Sequence, residues 1–556
     1  MNRISRFISE LRPGDAVIAG ALTGITLIAC FVGLAALVRS YQVTIPAHGG
    51  TLTEGVVGSP RYVNPLLAFS DSDRDLAALT YSGLMGHGTG GKLIPVLAES
   101  YTVSSDGTIY TFVLRQNAQF SDGTPVTADD VVYTIQKAQD ISLKSPVYSS
   151  WSNIRAEAID AKTVRFTLPK AYAPFLEDTT LGILPQHIWQ SVSDEEFPFA
   201  PQNTLPVGAG PFIAKNVSRD SQGTITGYTL DSYSKFVLGE PYLSHIHILV
   251  YANQNELQTA YKNGTIKSTY GIATASAVKA PYARVFGVFF NDANNPALSD
   301  LNVRKALSLA VDRTKLTQTI FGGYAVPLNG VLPAGSGVPV APLPSDDTRL
   351  EEARSSLTAA GYKYDATANT WSKGGEVLSI TLTTSSIPEL KVVAMEVQKD
   401  WQALGVPVQL ELEDSSSLTQ TIIRPRAYGA LLFGEVIGAS PDLFPFWSGS
   451  ERTNPGLNIA NYENKDVDVL LTQARSESDP TKRISLLEQI QEKIAADYPA
   501  AFLYTPDFLY NVPSSIYGVT LSQVSNPSDR FWGVQNWYTY TEHVWPIFVP
   551  AARTGG

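Results

Sequence analysis

Three aspartates and two threonines fall within the eleven residues "FSDGTPVTADD" (120–130). Oxygen ligands at that density suit a divalent cation or a phosphoryl group. A second cluster is His245 and His247 in "YLSHIHILVY". On a strand their alternation puts both rings on one face, as two metal ligands require. The single cysteine, Cys30, lies in "LIAC". The sequence holds no HExxH, GxSxG, Walker loop or CxxC, so no nucleophile, base or metal constellation is complete and catalysis is not expected.

The elements that carry these residues favour a plainer reading. "IYTFVLRQ" (109–116) alternates as a strand, with Tyr110, Phe112 and Leu114 on one face. "SDGTP" is a turn in which Asp122 closes an Asx-turn and Pro125 fixes φ. Thr127 stands at a helix N-cap with Asp130 three residues on. Asp129 and Asp130 then meet the positive end of the helix dipole, and Val131, Val132, Ile135 and Ala138 form the apolar stripe. The carboxylates are therefore assigned to helix initiation. The histidine pair, with no third ligand nearby, reads as a strand-face pair. In "NVRKALSLAVDRTKL" an amphipathic helix starts near Asp300, and Arg304, Lys305 and Arg313 are expected in solvent. A helix ends before Pro499 and feeds "AFLYTPDFLYNV", expected as an aromatic strand pair in the core. The Pro- and Gly-rich stretch 331–347 reads as a surface loop.

A chain of 556 residues calls for two or three domains. Its 44% hydrophobic and 17% charged content is that of a folded protein. A net charge of −11 without a Lys/Arg run excludes nucleic acid as a partner, because phosphate contacts need a basic face. Ala16 to Val38 carries no charge and is long enough for a bilayer. Arg3, Arg6 and Arg12 precede it, so residues 1–15 are expected in the cytoplasm, 16–38 as an anchor and the body outside. Cys30 also permits a lipoprotein signal, although "FVGLAALV" continues the apolar run where a polar tether would begin; a cleaved signal is the third reading. Gly20 and Gly24 make one GxxxG, which is weak evidence for pairing. With no cysteine after position 30, the body holds no internal disulfide.

"YTFVLRQNAQFSDGTPVTADDVVYTI" (110–135) resembles the signature of the family 5 extracellular solute-binding proteins. "VNPLLAFSDSDRDLAALTYSGL" (63–84), "LPVGAGPFIA" (205–214), "FFNDANNPALSDLNVRKALSLAVDRTKL" (289–316), "LEEARSSLTAAGY" (350–362) and "NPGLNIANYENKDVDVLLTQAR" (454–475) are similar to further family segments, in order, over about residues 50–545. The resemblance implies an α/β, two-lobed periplasmic-binding-protein-like fold of type II with an extra subdomain. Lobe one would take 49–82, 201–288 and 506–545, the subdomain 83–200, and lobe two 289–505, with hinges near 288 and 505. It implies an anchored, monomeric receptor of an ABC importer, with permease and ATPase as partners, a peptide or other small solute as ligand, and no cofactor. An oligosaccharide or metal-chelate receptor, and a sensor uncoupled from transport, remain alternatives. Carried over residue by residue, the cleft would be lined by Phe69, Ser70 and Asp71, by Tyr148, and by Phe433, Gly434, Glu435 and Val436 on an edge strand. Where the family's peptide receptors place an aspartate for the ligand's ammonium, this chain has Ile437 and Gly438. Glu435 is the candidate to replace it; a buried Glu would then need a donor or cation as partner.

Overall fold

The computed structural model describes residues 12–438 and 440–549. Arg3 and Arg6, on which the orientation of the first helix depends, lie outside the described residues. Helix α1 (Pro13–Ser40) opens on a proline at its first turn, where the missing N–H has no helical partner to lose. Its stretch Val17–Ser40 is long and apolar enough to cross a membrane and is not buried by the other described residues. Strand β1 (Val43–Ala47) follows, then β2 (Thr51–Val57) and helix α2 (Asp71–Thr80), which starts in a capping box between Ser70 and Asp73.

The next segment forms an antiparallel sheet in the order β3 (Ala98–Val103), β4 (Ile109–Leu114), β6 (Thr163–Thr167), β5 (Arg155–Asp160), with helix α3 (Ala128–Ala138) against it. Tyr110, Phe112 and Leu114 are buried on one face, as alternation predicts. The carboxylates of 120–130 serve the turn and the helix start. Asp122 accepts from the Thr124 N–H at 2.9 Å and faces His187 Nε2 at 2.8 Å. Asp130 accepts from the Thr127 N–H and hydroxyl at 2.8 and 2.7 Å, and from the Gln186 N–H at 2.8 Å.

Strands β7 (Phe212–Arg219), β8 (Ile225–Ser232) and β9 (His245–Tyr251) join β2 in the order β2-β9-β8-β7, with β9 parallel to β2. The His245 and His247 rings lie 6.4 Å apart, and His245 Nδ1 is 2.8 Å from Asp231. No three His, Cys, Asp or Glu side chains gather as a metal site among the described residues.

The largest sheet is built on β10 (Arg284–Phe290), which follows the first crossing and leads to helix α4 (Leu301–Ala310). Then come β11 (Ile380–Ser385), α5 (Pro388–Leu404), β12 (Val408–Glu413), β13 (Ala430–Val436), α6 (Lys465–Ser476), α7 (Pro480–Asp497) and β14 (Ala500–Asn511). The main order is β14-β10-β13-β11-β12. One face buries Val288, Leu307, Trp401 and Leu432; the other buries Phe289, Leu431, Trp447 and Ile490.

Three expectations need correction. "AFLYTPDFLYNV" is one strand, β14, whose first half pairs with β10 and whose second half pairs with strands at 269–270 and 278–281. Pairing of β10 with β13 already begins at Arg284, ahead of the crossing expected near 288. Arg313 is 3% exposed. It donates to the carbonyls of Ser308, Val311, Leu328 and Phe502, while Arg304 caps those of Leu298, Ser299, Asp497 and Tyr498. These arginines satisfy helix and strand ends that would otherwise be orphaned. The last described strand, β15 (Tyr540–Val544), returns to pair with β1.

Candidate ligand cleft

Strand β13 begins inside the sheet and ends at its free margin. Its pairing with β11 stops at Leu431, whereas its pairing with β10 continues to Val436. Antiparallel strands turn alternate residues toward each neighbour. The Ile437 N–H donates to Ala283 O at 2.9 Å, so Phe433 and Glu435 direct their main-chain groups at β10. The Leu432 carbonyl, on the other side, accepts from Thr384 Oγ1 at 2.8 Å. Gly434 and Val436 face that same side beyond the reach of β11, with no strand partner among the described residues. The edge expected at 433–436 is thus confined to two residues. Gly434 is required there: a Cβ would stand 2.6–2.9 Å from the ring of Phe286, which crosses it and stacks on Tyr504 at 4.8 Å.

Glu435 points the other way, with Leu431 and Ile437, into the core that holds Trp447. It is 4% exposed, and neither carboxylate oxygen has a donor among the described residues. Burial holds its carboxyl well above the usual carboxylate range. The donor or cation that a buried Glu435 was expected to need is missing among the described residues.

The other candidate residues come from two adjoining loops. Ser145 Oγ donates to Leu66 O at 2.7 Å, which ties the turn before Tyr148 to the loop bearing Phe69. Phe69 is 75% exposed and Tyr148 half-buried. Ser70 caps α2, and Asp71 accepts from Tyr270 OH at 3.1 Å. At the hinge end of β10 the Arg284 guanidinium lies 4.0 Å from the Tyr282 ring, opposite Val436. Gly438 borders a cavity of about 450 Å³ together with His87, Glu177, Asp529 and Trp532. There His87 stacks on Trp532 at 3.8 Å and pairs with Glu177 at 2.9 Å. Burial raises Asp529 to about 6.

A larger cavity of about 850 Å³ separates the 149–178 region from the second lobe, with Ile154, Leu168, Tyr172, Phe444 and Leu457 in its walls. The lobes touch at its rim. The Ala173 N–H donates to Arg475 O at 2.7 Å, and the Arg475 guanidinium grips Asp442 at 2.8–3.1 Å beside the rings of Phe444 and Tyr172. Asp178 sits in the wall with Oδ2 unpartnered, raised to about 7 by burial, with Glu177 and Asp442 adding to the rise and Ser150 opposing it.

Sequence reasoning missed the network that braces α2 against β2 and β14. Arg530, fully buried, donates to both oxygens of Asp75 at 2.7 Å and to Glu54 Oε1 at 2.9 Å. Tyr510 OH and Ser268 Oγ complete Glu54. The network joins β2, α2 and β14, and so fixes the helix whose first residue is Asp71. Burial pushes both carboxyls up against the pull of Arg530, while the two acids hold the guanidinium protonated.

The mixed α/β sheets and their order have the periplasmic-binding-protein-like architecture of the solute receptors. The profile of the bacterial extracellular solute-binding proteins, family 5 (Middle), matches residues 92–455, and the chain belongs to that family. It is 26% identical over 525 residues to the oligopeptide-binding protein AppA of Bacillus subtilis, covering 89% of this chain and 92% of that one. It is 26% identical over 456 residues to the glutathione-binding protein GsiB of Escherichia coli K12, covering 79% and 85%. Among solved structures, the ABC transporter substrate-binding protein CtaP of Listeria monocytogenes superposes with a TM-score of 0.73 at 25% identity, covering 88% of this chain and 99% of that one. NikZ of Campylobacter jejuni, solved with Ni(L-His), gives 0.69 at 22%, covering 88% and 99%.

Proposed function

We propose that this chain is a membrane-anchored receptor of an ABC importer that captures peptides between its lobes and passes them to a permease. The observation that carries the ligand class is the free margin of β13. The main-chain groups of Gly434 and Val436 are offered there with no strand partner, so an extended ligand gains backbone hydrogen bonds whatever its side chains are. Each such bond contributes roughly 0.5–1.5 kcal/mol net. Phe69, Ser70, Asp71 and Tyr148 would line the opposite wall, and the half-apolar cavities would take side chains. Closure around a ligand that touches both lobes follows from its higher affinity for the shut state. The relatives' printed roles in oligopeptide and glutathione binding support the same class. Helix α1 supports the anchor by its length, composition and exposure.

The test is to extract the full chain in mild detergent, denature it and identify the released small molecules by mass spectrometry. A set of short peptides is expected. A single sugar or metal chelate would overturn the peptide reading while leaving the receptor fold intact.

A further inference from the structure

The two ends of the described body meet where the anchor leaves its membrane-crossing stretch. Strands β1 and β15 are antiparallel with Val43 opposite Val544 and Ala47 opposite Tyr540. Strand β15 therefore runs back toward α1, and one more step of the register brings Trp545 level with Gln42. The turn Pro546–Phe548 follows directly, at the end of the ribbon where α1 leads into β1. This turn is apolar and open: Ile547 is 83% and Phe548 67% exposed, with Trp545, Val549, Tyr41 and Val43 also exposed. No charge occurs from Val544 to Val549.

Geometry decides what such a patch meets. The 24 residues Val17–Ser40 span about 36 Å as a helix, against ~30 Å of hydrocarbon. Ser40 thus reaches the headgroup layer, and the two residues to Gln42 add only about 7 Å. Aromatic residues at that depth sit with the ring in lipid and the polar edge in water. A lone two-stranded ribbon is also marginal in water. This one is fastened to the body at its far end, where Tyr540 fills the space a Cβ on Gly49 would occupy.

We propose that Trp545–Val549 inserts into the outer membrane interface beside the anchor. The receptor body is then tied to the bilayer at both ends of its chain and held in one orientation. This inference rests on α1 being a retained anchor.

The experiment uses the full chain in liposomes, with Cys30→Ala and one nitroxide-labelled cysteine at a time. Labels are placed at Phe548→Cys, at Thr541→Cys as a water-facing control, and at Leu27→Cys within α1. Collision with oxygen relative to a water-soluble nickel chelate is read by spin resonance. The ratio at 548 is expected several-fold above that at 541 and below that at 27. A 548 label as accessible to the chelate as the 541 label, with 27 still in lipid, overturns the insertion but keeps the anchor. A water-exposed label at 27 overturns the anchor and the insertion together.

Discussion

The two lobes bury the same chemical group and treat it in opposite ways. In the first, Glu54 and Asp75 are enclosed but share the Arg530 guanidinium, and every strong acceptor among them has a donor. In the second, Glu435 is enclosed beside Leu431 and Ile437 with no donor among the described residues. Burial raises all three carboxyls, and only in the first lobe does a guanidinium oppose that rise. The first arrangement is a brace, because it needs β2, α2 and β14 in fixed relation. The second makes no such cross-link, and it lies on β13, the strand proposed to offer its margin to a ligand.

The largest effect should come from removing the brace. Arg530→Met strands two carboxylates in a dry site, and a loss of about 3–5 kcal/mol is expected from urea unfolding of the full chain. Adding Glu54→Gln and Asp75→Asn should recover part of that loss. If Arg530→Met costs no more than an ordinary surface change, the brace does not exist. Glu435→Leu should act in reverse and stabilise by about 1–3 kcal/mol, since it deletes two oxygens that have no donor. The sign with pH follows from linkage. The folded-state pKa of Glu435 is raised, so the wild type is unharmed below its ordinary value of 4.5 and loses stability as pH climbs above it. The gain from Glu435→Leu should therefore grow with pH across that window. A gain that does not change with pH would show that Glu435 has a partner after all.

What could be read in advance follows how local the physics is. The turn and cap at Asp122, Thr127 and Asp130 are settled within about ten residues, and so are the alternation of 109–114 and the cap at Asp300. The family segments pointed to the family and its fold class because their order survives at low identity. The brace was illegible because its members stand at 54, 75 and 530, and only the fold brings them together. Arg313 was misread for the same reason: its acceptors at Leu328 and Phe502 lie on other elements. Gly434 owes its identity to Phe286 across the sheet. Glu435 was different, since its alternation with Leu431, Phe433 and Ile437 already placed it on an apolar face. That signal was present and pointed away from the cleft.

Asp178 falls between the two extremes, being mostly enclosed and without a cation, yet at the wall of a cavity. Its pKa, raised from 3.8 to about 7, makes the wild type pay nothing below pH 4 and an increasing penalty up to about pH 7. Asp178→Asn should match the wild type at the acid end and exceed it by on the order of 1–2 kcal/mol at pH 8, less than full linkage because the cavity admits solvent. Thermal melts at the two pH values would check it, and an equal difference at both would place the carboxyl in water.

The smallest expected effect tests whether the brace chemistry works where the lobes must part. Arg475 grips Asp442 through Nε and Nη2, where Arg530 holds Asp75 through its two Nη atoms, and its side chain is 34% exposed against 0%. Solvent screens the exposed pair, and its ring contacts add little, so Arg475→Ala should cost no more than about 1 kcal/mol of stability. The main-chain bond from Ala173 to Arg475 survives that change, which isolates the side chain. Its contribution should appear in the distance between the lobes instead. Fluorophores on the exposed Ile141 and Val469 positions, introduced as cysteines in a Cys30→Ala chain, would report that distance. A wider ligand-free separation in Arg475→Ala, with an unchanged melting temperature, is the expected result. An unchanged separation would mean that packing around the cavity, and not this ion pair, sets how far the lobes open.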